Sequence, residues 1–282
     1  MADRFRTFRT LVQIDMVWMG RGPLLVRAGG ASPPELPDMS FVRYPTEVGP
    51  TPFLPGSSLK GVLRTGAEQL ARATGGAACD PFSRDSCGRR DDRERCEICL
   101  LFGSTRGAGV LMVDDALPWR LEDRSDVRKE KLEAVLDRSV VRHGVGIDRS
   151  TGTAARGVLY DFEALVDPVF FGSLRLRNPD GRQLALTAGA LRMLAEDMLR
   201  VGGMGSRGLG RVIPKPRRIA VFAADRKYLE DLPGADHFGD PKSVGIVSEW
   251  VAGGPAADAR ARAAAADELL KLWERTAVEA VG

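Results

Sequence analysis

What the 282-residue chain lacks narrows its class first. No apolar run approaches the ~18 residues that a membrane-spanning helix needs. The first twenty residues carry Asp3, Arg4, Arg6, Arg9 and Asp15, which leaves no continuous apolar signal core, so a cytoplasmic location is expected. Histidine occurs only at His143 and His237, and an imidazole acid–base pair would require those two to meet in space. Cysteine occurs four times, all within 21 residues. Lysine occurs seven times against 34 arginines, yet the net charge is only +3. The total charge therefore does not mark a nucleic-acid binder. The arginine bias fits one, because a planar fork suits phosphates and stacked bases better than an ammonium does; a GC-rich genome would produce the same bias. With 44% apolar and 28% charged residues, disorder of the whole chain is excluded.

Along the chain, residues 4–18 alternate loosely, are rich in β-formers, and read as a strand ending at Gly20. Glycine and proline recur through 21–55, which excludes a long helix and leaves a long loop of the kind that is either functional or disordered. Pro55-Gly56-Ser57-Ser58 offers a turn and a hydroxyl N-cap, followed by apolar Leu59, Val62, Leu63, Ala67 and Leu70 at helical spacing as far as Thr74-Gly75-Gly76. Lys60 and Arg64 share one flank of that helix. With Ser57, Ser58 and the free N–H groups of the helix start, they make a site for an RNA phosphate; the alternative is an ordinary capped surface helix. Residues 140–148 read as a strand or hairpin arm, with a flexible 150–153 segment after it. Two strands are expected over 158–166 and 169–176, a helix over 188–200 with Leu191, Leu194, Ala195 and Met198 inward, a strand over 211–222, and a terminal helix after Pro255. Each half thus supplies strand, helix and strand, which suits an α+β sandwich of ferredoxin-like type.

Cys79, Cys87, Cys96 and Cys99 are separated by seven, eight and two residues. Four thiolates satisfy tetrahedral zinc with no open position, so a structural rather than a catalytic zinc is expected, with free buried thiols as the alternative. Arg84, Asp85, Arg89, Arg90, Asp91, Asp92, Arg93 and Glu94 around them are too polar to fold alone, so a metal crosslink would supply what a core cannot. Residues 200–218 hold Arg200, Arg207, Arg211, Lys215, Arg217 and Arg218, five glycines and no acid. This is neither a Walker loop nor a dinucleotide fingerprint; glycine with uncompensated arginine points to an extended anion such as RNA, against a flexible loop with solvated arginines.

Three stretches carry a family resemblance. Phe53-Leu54-Pro55-Gly56-Ser57-Ser58-Leu59-Lys60-Gly61 resembles the "IPGSSLKG" hallmark of the RAMP superfamily. Gly146-Ile147-Asp148-Arg149-Ser150-Thr151-Gly152-Thr153-Ala154, followed by Gly157-Val158-Leu159-Tyr160 and Glu163, is a second match. The run from Gly202 to Gly210 is similar to the family's glycine-rich loop. More narrowly, the chain resembles the CRISPR-RNA-binding backbone subunit of type III CRISPR effector complexes.

The resemblance implies a modified ferredoxin-like, RRM-like palm (1–76 and 158–223), a zinc-holding insert (77–106) and a β-hairpin thumb (107–157), with an extension (224–282) that it does not cover. It implies copies stacked in a filament on a guide RNA, with other type III effector subunits, and no membrane. An aspartate before the hallmark would cut target RNA at regular intervals with Mg²⁺ or a similar divalent metal; Asp38 stands at its place relative to Pro45, the alternative being that Asp38 only caps a turn. Ser57, Ser58, Lys60 and Arg64 would hold guide phosphate. Gly203, Ser206, Arg207 and Arg211 would line the same groove. Arg142, Asp148, Arg149 and Thr153 would touch RNA or a neighbouring subunit, the alternative for Asp148 being an internal salt bridge with Arg149 or Arg142. His143 would either assist the cutting or, the preferred reading, have a hydrogen-bonding role at the base of the thumb. A non-catalytic scaffold of the same complex and a free-standing zinc protein are the competing readings.

Overall fold

The structure, a computed structural model, describes residues 6–29, 36–89, 95–244 and 247–279. Residues 4 and 5 of the expected first strand and the charged run 90–94 lie outside these. The elements are β1 (Thr10–Gly20), β2 (Pro23–Leu24), β3 (Arg43–Thr46), β4 (Gly49–Pro52), α1 (Gly56–Ala73), α2 (Glu97–Phe102), β5 (Leu111–Val113), α3 (Ser125–Leu136), β6 (Ser139–Ile147), β7 (Ala154–Val166), β8 (Val169–Arg177), α4 (Gly181–Ala195), β9 (Val212–Ala223), α5 (Lys227–Glu230), β10 (Lys242–Val244), β11 (Val247–Val251) and α6 (Ala259–Glu279). No helix among the described residues is long and apolar enough to cross a membrane.

The main sheet has the order β10-β11-β9-β1-β8-β5, and every neighbouring pair is antiparallel. Strand β1 lies at its centre because alternate residues suit burial on one face: Val12, Ile14, Met16 and Trp18 are buried, and the residues between them are half-exposed. Helices α1, α4 and α6 cover that face. Leu59, Leu63, Ala67 and Ala71 supply the buried stripe of α1, and each of the two leucines contributes about 1.5–3 kcal/mol through burial. Residues after 223 add to the same body. β11 pairs with β9, and α6 seats Trp273, whose indole N–H donates to the Pro233 carbonyl at 2.8 Å. A second, three-stranded sheet runs β2-β7-β6, with β6 and β7 forming a long hairpin.

Three expectations change. Helix α1 has no hydroxyl cap: Pro55 is its N-cap, Ser57 and Ser58 lie inside the first turn, and the Gly56 N–H donates to Asp115 Oδ1 at 2.6 Å. A Cβ on Gly56 would sit 2.2 Å from the Val113 carbonyl oxygen, so only glycine permits this approach. Helix α4 starts seven residues earlier than expected, because Asp180 and Gln183 form a capping box, and it stops at Ala195. Met198 therefore falls beyond the helix and is 67% exposed. The 21–55 loop contains the β3–β4 hairpin, an isolated two-stranded piece in which Pro45 faces Pro50; prolines are tolerated where no further strand needs their N–H.

Candidate functional site

The four cysteines converge. Their Sγ atoms all lie within 4.8 Å of one another, an arrangement that could hold a metal ion. Cys96 caps α2, its sulfur accepting the Cys99 N–H at 3.4 Å, while the Cys96 N–H donates to Cys87 Sγ at 3.2 Å. Burial raises the Cys87 thiol, but the Cys96 N–H and the neighbouring thiols outweigh this and lower it to about 7. Burial and the crowding of Cys79 and Cys96 push Cys99 up, and burial raises Cys79. Four thiolates this close repel unless a cation sits among them, so the donor set fits a tetrahedral thiophilic metal.

Arg64 leans into this cluster. Its Nε donates to Glu68 at 2.9 Å, its Nη1 to the Gly103 carbonyl at 3.0 Å and its Nη2 to Cys99 Sγ at 3.5 Å. Lys60, one turn earlier, has no such partner among the described residues. Burial and the Arg64 charge hold its ammonium below the ordinary lysine range. It faces an open cleft of about 870 Å³ whose other wall is the 102–112 segment, with Gly103, Arg106 and Gly107. Ser57 is exposed and Ser58 half-buried beside it. The first helix N–H, that of Gly56, is already taken by Asp115.

The 202–210 loop packs against residues 23–25. The Gly203 N–H donates to the Leu25 carbonyl at 2.9 Å and the Gly210 N–H to that of Pro23 at 3.1 Å. Gly202 has φ +79°, and a Cβ there would lie 2.1 Å from the Leu25 oxygen. These glycines serve a close backbone approach within the fold. Ser206 and Arg207 are exposed on a short 3-10 turn. Arg211 is committed to Asp197, through Nε at 2.9 Å and Nη2 at 2.5 Å, and Arg200 shares that carboxylate at 2.9 Å. Leu25, Phe162, Ala164 and Leu209 form a small buried cluster with Met39, Tyr160 and Met204 against it, and this joins the loop to the base of the β6–β7 hairpin.

At that base, residues 38–41 lie along β7. The Met39 N–H donates to the Asp161 carbonyl at 3.1 Å and the Glu163 N–H to that of Met39 at 2.9 Å. Asp38 is exposed, and its Oδ2 accepts the Asp161 N–H at 3.0 Å. Asp161 Oδ1 lies 2.5 Å from His143 Nδ1. The buried Glu163 grips Arg43 with both oxygens and also takes the Phe41 N–H at 3.0 Å and the Ser139 hydroxyl at 2.6 Å. Burial would raise its carboxyl, but these donors, Arg43 foremost, hold it below the ordinary carboxylate range. Arg142 and Arg149 are exposed on the hairpin arm and tip. Asp148 pairs with neither; it accepts the Ser150 hydroxyl and the Ser150 and Thr151 N–H groups, closing the tip turn. His237 sits in a 3-10 turn beside Gly253, on the other sheet's periphery, so no imidazole pair forms with His143. Sequence reading missed Asp115, Asp161, Asp197 and the 103–109 glycines; only the last carried a local signal, in Phe102-Gly103-Ser104-Thr105-Arg106-Gly107-Ala108-Gly109.

The family model for the RAMP superfamily matches residues 17–213, well over half of the chain, and the chain belongs to that superfamily. Among particular proteins, it is similar to the CRISPR system Cms endoribonuclease Csm3 of Methanothermobacter thermautotrophicus strain Delta H, with 26% identity over 237 residues, covering 75% of this chain and 85% of that one.

Proposed function

We propose that this chain is the guide-RNA-binding backbone subunit of a type III CRISPR ribonucleoprotein and cuts complementary target RNA through Asp38. The observation that carries the RNA-binding part is Lys60: a half-buried ammonium with no counter-charge among the described residues, on the rim of a wide cleft. Leaving such a charge unpaired is costly unless an anion completes it, and an RNA phosphate does so. The relative's name, an endoribonuclease of a CRISPR system, supports the assignment. The strand order supports a ferredoxin-like, RRM-like palm: taken with α1 and α4, the elements β1, β5, β8 and β9 follow a β-α-β-β-α-β path in the spatial order fourth, first, third, second. In this reading the four cysteines hold a structural zinc, the β6–β7 hairpin is the thumb, and copies of the chain stack along the guide.

Asp38 offers an exposed carboxylate, the hard oxygen donor that Mg²⁺ takes. Such an ion would neutralise charge on the scissile phosphate. A second reading, the non-catalytic scaffold, is favoured by one contact: Asp38 Oδ2 already accepts a backbone N–H and so has a structural role. The deciding experiment assembles the complex with guide RNA and Mg²⁺ and follows a guide-complementary RNA. Asp38→Ala is expected to abolish cutting at regular spacing while guide and target binding persist. Undiminished cutting by the variant refutes the assignment; no cutting by the unaltered complex selects the scaffold.

A further inference from the structure

The hairpin base ties Asp38 and His143 to one residue. Asp161 fixes Asp38 through its backbone N–H, at 3.0 Å, and fixes His143 through its carboxylate, at 2.5 Å. The register accounts for the second contact: His143 and Asp161 are directly opposed in the β6–β7 ladder, so their side chains share one face. The first follows because residues 38–40 run along the edge of β7 opposite β6, beyond the short β2, and place the Asp38 carboxylate where the Asp161 N–H would otherwise lack a partner.

An ionised carboxylate only accepts hydrogen bonds, so the proton shared with Asp161 belongs to His143 Nδ1. That leaves Nε2 of the neutral ring as an acceptor. The ring is 71% exposed and Asp161 40% exposed. A side-chain contact this exposed contributes at most about 1 kcal/mol to stability, so the fold has little need of it. The arrangement resembles a base oriented by a carboxylate, on the residue whose backbone N–H also holds Asp38.

We propose that His143 is the proton acceptor for target cleavage and that Asp161 is the positioning residue that aims both His143 and Asp38. This rests on the cleavage reading above. In the step, His143 Nε2 takes the proton of the ribose 2′-hydroxyl and O2′ bonds to phosphorus. The P–O5′ bond breaks, and O5′ takes a proton from water. The products are a 2′,3′-cyclic phosphate and a 5′-hydroxyl, and the imidazolium returns its proton to solvent. Proton transfer by a positioned side chain typically contributes roughly 10²–10⁴-fold.

The test uses the complex assembled with guide RNA, in single turnover on complementary RNA, with unaltered protein, Asp38→Ala, His143→Ala, Asp161→Ala and Asp161→Asn side by side. His143→Ala is expected to slow cutting roughly 10²–10⁴-fold with target binding unchanged, and added imidazole is expected to restore part of the rate. Asp161→Ala is expected to cut more slowly than Asp161→Asn, because the amide oxygen still accepts from Nδ1 while both keep the backbone N–H. Full-rate cutting by His143→Ala, with Asp38→Ala inactive, overturns this proposal and leaves the cleavage reading standing. A loss that imidazole does not restore and that tracks weakened target binding also overturns it. Cutting by Asp38→Ala, or none by the unaltered complex, removes the cleavage reading and this proposal with it.

Discussion

The first turns of α1 and the 202–210 loop look alike in sequence, since each combines small residues with closely spaced cations, but the fold treats their cations differently. On α1, Arg64 is turned inward to Glu68, Gly103 and Cys99, while Lys60, with no partner among the described residues, rims the cleft. In the loop, Arg200 and Arg211 converge on Asp197, while Arg207 projects outward. Each region thus holds one cation with no partner among the described residues, beside one occupied cation on α1 and two at the loop. A run of basic residues without a nearby acid in sequence is not a basic groove; carboxylates and carbonyls from elsewhere decide which charges remain for a ligand.

Arg64→Ala gives the largest effect that would sharpen this contrast. If Arg64 serves the cysteine cluster, its loss removes a cation and a donor from the sulfurs, and outer-sphere partners of this kind are typically worth about 10–100-fold in metal affinity. From protein loaded with zinc, metal release to a competing chelator is expected to accelerate accordingly, while the salt dependence of guide binding stays nearly unchanged. Unchanged zinc retention together with a fall in the salt slope would return Arg64 to the phosphate role.

The same contrast marks what was legible in the sequence. The alternation of β1 and the helical spacing of α1 are local patterns imposed by one buried face, and both can be read directly. The cysteine cluster was legible because four thiols within one short insert have few ways to avoid each other. The cap of α1 was not, because its acceptor, Asp115, lies 59 residues away and the serines that suggested a cap fall one step inside the helix. The start of α4 was missed because Asn178-Pro179-Asp180-Gly181 reads as a turn, although Asp180 with Gln183 also satisfies the capping-box pattern. Asp161 could not be singled out: its importance comes from facing His143 across a hairpin and from edge pairing with residues 38–40.

Lys60→Ala comes next. Removing the uncompensated ammonium is expected to weaken guide-RNA binding by about tenfold at moderate salt and to reduce the log–log salt slope by about 0.7, the value for one phosphate contact to a single strand. Filter binding across a salt series measures both. The depressed proton affinity of Lys60, which follows from burial and Arg64, has a consequence with a definite sign. The charge is lost at a lower pH than for an ordinary lysine, so binding by the unaltered protein should weaken on the alkaline side before that of Lys60→Arg. Equal salt slopes for Lys60→Ala and the unaltered chain would dissolve the distinction between the two cations of α1.

The smallest effect tests the loop. Arg211 is held by Asp197, whose carboxyl the Arg211 hydrogen bonds and the Arg200 charge keep below the ordinary range. A depressed carboxyl keeps its pair intact above the unfolded-state value, near 3.9, and loses it only as the pH falls through the lower folded value. At neutral pH Arg211 is therefore already occupied, and Arg211→Ala is expected to change guide binding by less than about twofold. Asp197 sits at φ +66°, a conformation that asparagine tolerates, so Asp197→Asn removes the charge without forcing the backbone. That variant should release Arg200 and Arg211 to the ligand, tighten binding by about twofold and raise the salt slope by up to about 0.7 for each arginine that then reaches a phosphate. If Arg211→Ala instead weakens binding as much as Lys60→Ala does, the ion pair yields to RNA, and the loop is a phosphate site of the same rank as α1.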